Sequence, residues 1–226
     1  MRPICLDLFC KEGGAGMGYY QAGFDVIGVD AQKQPKYPFT FIQGDALEVL
    51  GALVGRRPPF ALIHASPPCQ AYTTGGRVRE RASCPRLIEP VRDLLRKVGV
   101  PYVIENVEGA PLINPVRLCG SMFGLGVRRH RLFECSFPIA HPRCTTAMHR
   151  AQGPVVGVYG HLHGEKGAWK GMAPSTLKSW KQAMGIDWMS RDGLSQAIPP
   201  AYTRWIGEQF LALDPRERNP LRRRRR

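Results

Sequence analysis

The segment "PICLDLFCKEGGAGMGYYQAGFDVIGVD" (residues 3–30) decides the fold. Its first part, "PICLDLF" (3–9), is a short apolar run of the kind that forms a buried strand. The glycine-rich "KEGGAGMG" (11–18) follows, then "YYQAGF" (19–24), which is compatible with a helix. "FDVIGVD" (24–30) is a second apolar run and closes on an acid, Asp30. A strand, a glycine turn, a helix and a second strand make one parallel unit.

The pattern repeats outward from there. "FTFIQGD" (39–45) reads as a third strand ending at Asp45, and "ALEVLGALV" (46–54) as a helix. "FALIHA" (60–65) reads as a fourth strand feeding "SPPCQ" (66–70). In "CPRLIEPVRDLLRKVG" (84–99), Leu87, Val91, Leu94, Leu95 and Val98 recur at the spacing of one helical face. "VPYVIENV" (100–107) reads as a fifth strand carrying Glu105 and Asn106 at its end. Alternating strands and helices predict an α/β fold, a mostly parallel sheet with helices on both faces. Ligands bind such sheets beyond the C-terminal ends of the strands. Asp30, Asp45, Cys69 and Glu105 all fall there.

Past "RRHRLFECSF" (128–137) the periodicity fades. Residues 138–195 are rich in Gly, Pro, His and Trp, and are expected to form a small irregular subdomain whose core holds Trp169, Trp180 and Trp188. Order returns in "IPPAYTRWIGEQFLAL" (198–213), where Tyr202, Trp205, Ile206, Phe210 and Leu213 form one apolar stripe behind helix-starting prolines. The expected organisation is a catalytic and cofactor-binding domain over 1–137, a subdomain over 138–195, a returning helix over 196–214, and a basic tail over 215–226.

The 226 residues carry 32 Lys and Arg against 18 Asp and Glu, a net charge of +14. Five of these charges sit in the terminal "RRRRR" (222–226), which leaves +9 on the rest. That balance suits a polyanion such as nucleic acid. No stretch of eighteen apolar residues points to a membrane span, and the opening residues lack the features of a signal peptide. A cytoplasmic location is expected. The seven cysteines, an odd number, read as thiols, or in part metal ligands, rather than disulfides.

Three groups of residues offer chemistry. The glycine turn lets backbone approach a ligand and aims helix N–H groups at it, and Asp30 can accept from ribose hydroxyls. Asp45 can accept from an adenine amine. Cys69 lies between Pro68 and Gln70; Pro67 and Pro68 stiffen its loop, and the arginines at 128, 129 and 131 or helix N–H groups favour its thiolate. Glu105, at the end of an apolar strand, has its pKa raised by desolvation. Read by residue type alone, Cys69 is more readily an inert core thiol.

The order of the glycine loop, Asp30, "GD" at 44–45, "PPCQ" at 67–70, "ENV" at 105–107, "RRHR" at 128–131 and a C-terminal "IPP" helix resembles the cytosine-C5 DNA methyltransferases that use S-adenosylmethionine. The resemblance runs from about residue 4 to about residue 213. It implies a Rossmann-like methyltransferase fold with a small target-recognition subdomain. It implies that Cys69 attacks C6 of a flipped cytosine, that Glu105 steadies N3 and the exocyclic amine, that Arg131 contacts O2, and that Arg129 braces the loop. The cofactor, S-adenosylmethionine, would meet Phe9 (stacked on adenine), Gly13, Gly14, Gly16, Asp30, Asp45, Pro67 and Gln196. Gln70 and Asn106 would lie on the substrate side. The partner implied is double-stranded DNA, read over two to four base pairs, with the chain acting as a monomer and needing no protein partner. Its compactness resembles that of a phage methylase or of one half of a restriction pair. An RNA substrate stays open, since one relative within the family modifies tRNA, as does a DNA-binding protein without catalysis.

The chain departs from the family at Lys11, where a glycine is usual, at Val127, where glutamine is usual, and at Gln196, where asparagine is usual. Cys135, His141, Cys144 and His149 are spaced C-x5-H-x2-C-x4-H. Cys and His can hold zinc, but this spacing fits no common template. They read as scattered polar and packing residues, and no metal is expected.

Overall fold

A computed structural model describes residues 1–72, 84–159, 172–173 and 175–219 of the chain. Seven strands form one sheet: β1 (Ile4–Leu8), β2 (Asp25–Asp30), β3 (Thr40–Gln43), β4 (Phe60–Ala65), β5 (Tyr102–Asn106), β6 (Val116–Leu118) and β7 (Arg131–Cys135), in the order β3-β2-β1-β4-β5-β7-β6. The first five run parallel. β7 pairs antiparallel with both β5 and β6. Chain direction across the sheet reverses between β1 and β4, which opens a crevice beyond their C-terminal ends.

The strands are apolar on both faces because helices cover both. On one face Cys5, Leu62 and Val103 meet Tyr19 and Phe24, together with Tyr202, Ile206 and Phe210. Tyr19 belongs to α1 (Gly14–Ala22), and the last three to α7 (Pro200–Ala212). On the other face Leu6, Leu8, Ile63 and Ile104 meet Ala46 and Leu50 of α2 (Ala46–Leu53) and Val91 and Leu95 of α3 (Ile88–Val98). Successive residues of one strand thus serve opposite cores, as the pleat requires.

Three glycines in α1 weaken it as an isolated helix, and packing explains them. A Cβ on Gly18 would overlap the Pro200 carbonyl and Thr203 Oγ1 of α7. A Cβ on Gly14 would overlap the carbonyl of Ile198. The C-terminal helix therefore lies backbone-close to the glycine turn, and Thr203 Oγ1 donates to the Ala15 carbonyl at 2.8 Å.

Among the described residues between β7 and α7 lie three short helices, α4 (Thr146–Gln152), α5 (Leu177–Met184) and α6 (Arg191–Gln196), where the sequence pattern points to irregular chain. Each is six to eight residues long, too short to show a clear period, and each starts on a side-chain cap, from Thr145, Thr176 or Ser190. A third core gathers Val127, Val158, Trp180, Ala183, Met184 and Leu194, with Trp188 packed against it. Trp169 and the arginine tail lie outside the described residues. No described helix is long and apolar enough to cross a membrane.

Candidate active site

The turn after β1 places three residues in the left-handed region: Phe9 (φ 59°), Lys11 (φ 47°) and Gly13 (φ 87°). The lysine keeps this conformation although it favours glycine. One reason is visible: the Lys11 N–H donates to Asp30 Oδ2 at 3.1 Å. Asp30 also accepts from Gln32 N–H at 3.0 Å through Oδ1. The buried Asp30 thus joins the end of β2 to the glycine turn and keeps further lone pairs for a ligand. Gly13 caps α1 without any side chain, and within the first turn the Gly16 N–H donates to the buried carboxylate of Asp7. Asp45 is exposed and its Oδ1 caps α2, accepting from Leu47 and Glu48 N–H at 2.8 and 3.0 Å. Gln196, exposed at the end of α6, leads directly into the Ile198 turn that packs on Gly14.

Two residues here carried no chemistry in the sequence reading. Asp7, inside β1, is fully buried; Tyr37 donates to its Oδ2 at 3.2 Å, and burial pushes its pKa up to about 7. Glu12 accepts from Ser190 N–H and Oγ, at 2.7 and 2.6 Å, and its carbonyl accepts from Trp188 Nε1 at 2.8 Å. The glycine turn is thereby tied to the segment before α6.

Cys69 follows β4 on a loop held from β5. Asn106 Nδ2 donates to the Pro67 carbonyl at 2.9 Å, while its Oδ1 accepts from Val107 N–H. Pro67 is buried, Cys69 half-buried and Gln70 exposed, so burial falls along the loop toward solvent. Next to Asn106, Glu105 Oε1 meets Arg131 Nε at 3.2 Å. Burial raises the Glu105 pKa; Arg131, a hydrogen bond from Ser66 and Arg129 pull it back.

Behind Glu105 runs a chain of hydrogen bonds. Tyr19 Oη lies 3.0 Å from His64 Nδ1, and His64 Nε2 lies 2.8 Å from Ser66 Oγ. Burial lowers the His64 pKa to about 3, so the ring is neutral at ordinary pH. A serine hydroxyl has one proton. With that proton given to Glu105, Nε2–H must donate to Ser66, and Nδ1 must accept from Tyr19. Nothing in the strand pattern "FALIHA" marks His64 as anything but a polar residue in a buried run.

Arg129 sits at φ 34° and donates to three carbonyls: Ala197 (2.8 Å), Val158 (2.9 Å) and Ser195 (2.6 Å). Tyr202 Oη of α7 in turn donates to the Arg129 carbonyl at 2.9 Å. Arg129 thus holds the 128–131 loop against the segment around α6, and Arg131 projects to Glu105.

The cysteine and histidine set drawn from spacing needs correction. Cys144 and His149 do approach each other's neighbourhood, but their companions are Cys119 and His130. Cys135 instead pairs with Val103 in the sheet and packs into the first core, and His141 is exposed. Sequence spacing missed Cys119 and His130 because they reach the cluster through the β6–β7 hairpin. None of the seven cysteines forms a disulfide.

No family model matches the chain. Two curated relatives share part of it: the Type II methyltransferase M.AgeI of Thalassovita gelatinovora, 27% identical over 121 residues, and the Type II methyltransferase M.XorII of Xanthomonas oryzae pv. oryzae, 28% identical over 124 residues. These alignments cover 46% and 48% of this chain but only 28% and 29% of the relatives' lengths. The fold is close to that of a candidate DNA modification methyltransferase encoded within an E. coli prophage (TM-score 0.60, 13% identity, 93% of this chain and 99% of that one). It is similarly close to the Dnmt2 methyltransferase of S. pombe (TM-score 0.59, 12% identity, 94% and 100%). The seven-stranded, mostly parallel sheet is thus a Rossmann-like methyltransferase fold.

Proposed function

We propose that the chain is a cytosine-C5 methyltransferase acting on double-stranded DNA with S-adenosylmethionine as methyl donor. The observation that carries this reading is the Asn106–Pro67 hydrogen bond. It ties the cysteine loop of β4 to the strand whose end presents the Glu105–Arg131 pair. Similarity to Type II methyltransferases and the methyltransferase fold support it.

The turn suits the donor. A helix N-terminus whose cap residue, Gly13, has no side chain favours the carboxylate of its methionine part, buried Asp30 retains acceptor capacity for ribose hydroxyls, and Phe9 stands at the same turn to stack on adenine. Gly13, Gly14 and Gly16 keep the backbone of that turn slim, and Asp45, Pro67 and Gln196 border it. Bound there, the donor supplies an electrophilic methyl group on a sulfonium.

The protein's own groups do the rest. The Cys69 thiolate bonds to C6 of a cytosine turned out of the helix, and the ring's electrons move toward C5 and N3. A proton shared between Glu105 and N3 takes up the charge that gathers there, and Arg131 holds both Glu105 and the base's O2. After methylation the C5 proton leaves, the C5–C6 double bond re-forms, and Cys69 departs as thiolate. Arg129 acts by positioning, through its three carbonyl bonds. Gln70, exposed beside Cys69, lies on the substrate side, whereas Asn106, which the sequence also assigned there, is buried and acts by holding the Pro67 carbonyl. The part of the chain between 138 and 195 would read a short target in the major groove.

The test is methyl transfer from labelled donor to mixed-sequence duplex DNA by the native chain and by Cys69→Ala, with 5-methylcytosine mapped at base resolution. Transfer by the native chain alone, confined to one short motif, supports the reading. Binding without transfer, or transfer to tRNA and not to DNA, overturns it.

A further inference from the structure

Cys119, His130, Cys144 and His149 come together from two parts of the chain. Cys119 immediately follows β6 and His130 immediately precedes β7, so the hairpin supplies one pair. Cys144 precedes the Thr145 cap of α4, and His149 lies in that helix's last turn. Cys119 Sγ is 3.4 Å from His149 Nε2, and Cys144 Sγ is 3.4 Å from His130 Nε2. All four ligand atoms lie within 4.8 Å of one another.

Zinc bound to sulfur at about 2.3 Å and to nitrogen at about 2.0–2.1 Å in tetrahedral array sets S to N separations of about 3.5 Å, and S to S of about 3.8 Å. The two measured S to N distances already match. Two separate S–H···N hydrogen bonds would account for each pair, but not for the two pairs sharing one small volume.

The surroundings match a metal centre as well. Metal-bound histidines commonly present their second nitrogen to a carboxylate; here His130 Nδ1 faces Glu108 Oε2 at 3.6 Å. Ser121 Oγ donates to Cys119 Sγ at 3.1 Å, and Arg117 Nη2 lies 3.8 Å from Cys144 Sγ while pairing with Glu108 at 3.1 Å. Both sulfurs therefore have donors suited to thiolates.

A last observation concerns α4 itself. It is seven residues long and buries none of them. Helices that short owe their stability to tertiary contacts, and this one has little apolar packing to draw on. Besides His149, it is linked to the sheet domain by Gln152 Nε2, which donates to the Leu125 and Val127 carbonyls, and by Arg128 Nη2, which donates to the His149 carbonyl.

We propose that Cys119, His130, Cys144 and His149 bind a structural zinc ion that fastens α4 to the β6–β7 hairpin. With four protein ligands the site is closed, as in structural rather than catalytic zinc centres. The ion would also fix His130 between Arg129 and Arg131, and so steady both arginines of the candidate active site. The proposal concerns metal content, so it stands or falls independently of methyl transfer.

The experiment measures zinc in the full chain purified without chelator, by elemental analysis. About one zinc per chain is expected. Cys119→Ser and Cys144→Ser should each lose most of it, while Cys135→Ala and His141→Ala should keep it. Because a serine variant can fail to fold, the native chain is also stripped with chelator and titrated with Co(II). Visible absorption of tetrahedral, thiolate-bound Co(II), displaced by zinc, supports the site. A folded native chain that takes up neither metal overturns it, and so does loss of zinc in Cys135→Ala or His141→Ala equal to that in Cys119→Ser.

Discussion

Asn106 at the end of β5 holds the Pro67 carbonyl two residues before Cys69, at 2.9 Å. Through this bond the cysteine loop takes its position from the strand that carries Glu105. Asn106→Ala leaves the Pro67 carbonyl and the Val107 N–H without their partner, at a cost of about 1–3 kcal/mol. A reactive group displaced by about 1 Å can lose on the order of 100-fold in rate. Single-turnover methyl transfer should fall by that order while donor affinity, measured by calorimetry, changes little. An unchanged single-turnover rate would show that the loop is held by other means.

Ser66 gives Glu105 a hydrogen bond that favours its ionised form, and Arg131 does so more strongly by charge. Removing either should raise the Glu105 pKa above its already elevated value. An NMR titration of the Glu105 carboxyl in Ser66→Ala and Arg131→Gln reads this directly, whatever activity remains. A downward movement in either variant would contradict the arrangement.

Asp7 titrates near 3.8 when exposed and at about 7 when folded, because burial disfavours its charge. Between these pH values the folded state keeps a proton that the unfolded state has lost, so this group's contribution falls as pH rises and is constant above about 7. Asp7→Asn removes the effect. The difference in unfolding free energy, variant minus native, should grow from pH 4 to pH 7 by up to about 4 kcal/mol. His64 acts in the opposite sense, since it stays neutral when folded down to about pH 3; it is common to both proteins and cancels in the difference. A difference that does not vary with pH would contradict the burial of Asp7.

Arg92 and Glu134 form a buried pair with three hydrogen bonds of 2.8–3.1 Å between them. Glu134 also accepts from Ile113 N–H, and Arg92 donates to the Pro111 carbonyl. Glu134→Ala strands a buried guanidinium and should cost about 3–5 kcal/mol in denaturant unfolding. Replacing both residues by apolar ones should recover only part, as Ile113 and Pro111 lose partners too. Destabilisation below about 1 kcal/mol, the range of surface pairs, would contradict this picture.

The parallel sheet was legible because its strands are apolar runs closed by acids or by "SPPC", and because Leu87 to Val98 keep a helical period. β6 and β7 were not assigned: "VRL" is three residues long, and "RLFEC" alternates around a buried Glu134 whose partner, Arg92, lies on another element. Asp30, Cys69, Glu105 and Arg131 are candidates by position, at or just past strand ends or within "RRHR". Asp7, His64 and Ser66 could not, since their roles come from neighbours that are distant in sequence: Tyr37, Tyr19 and Glu105. The same holds for Cys119 and His130, which join Cys144 and His149 through a hairpin rather than a spacing.

The central claim is that the Cys69 sulfur bonds to C6 of an everted cytosine, and mechanism-based trapping tests it most directly. Duplex DNA carrying 5-fluorocytosine at the target site, incubated with S-adenosylmethionine, should become covalently joined to the chain. A fluorine at C5 cannot leave as the proton does, so the bond to sulfur persists, and peptide mapping should place it on Cys69. Methylation of ordinary cytosine at that site, with no adduct on the fluorinated one or with an adduct on another residue, would contradict the account.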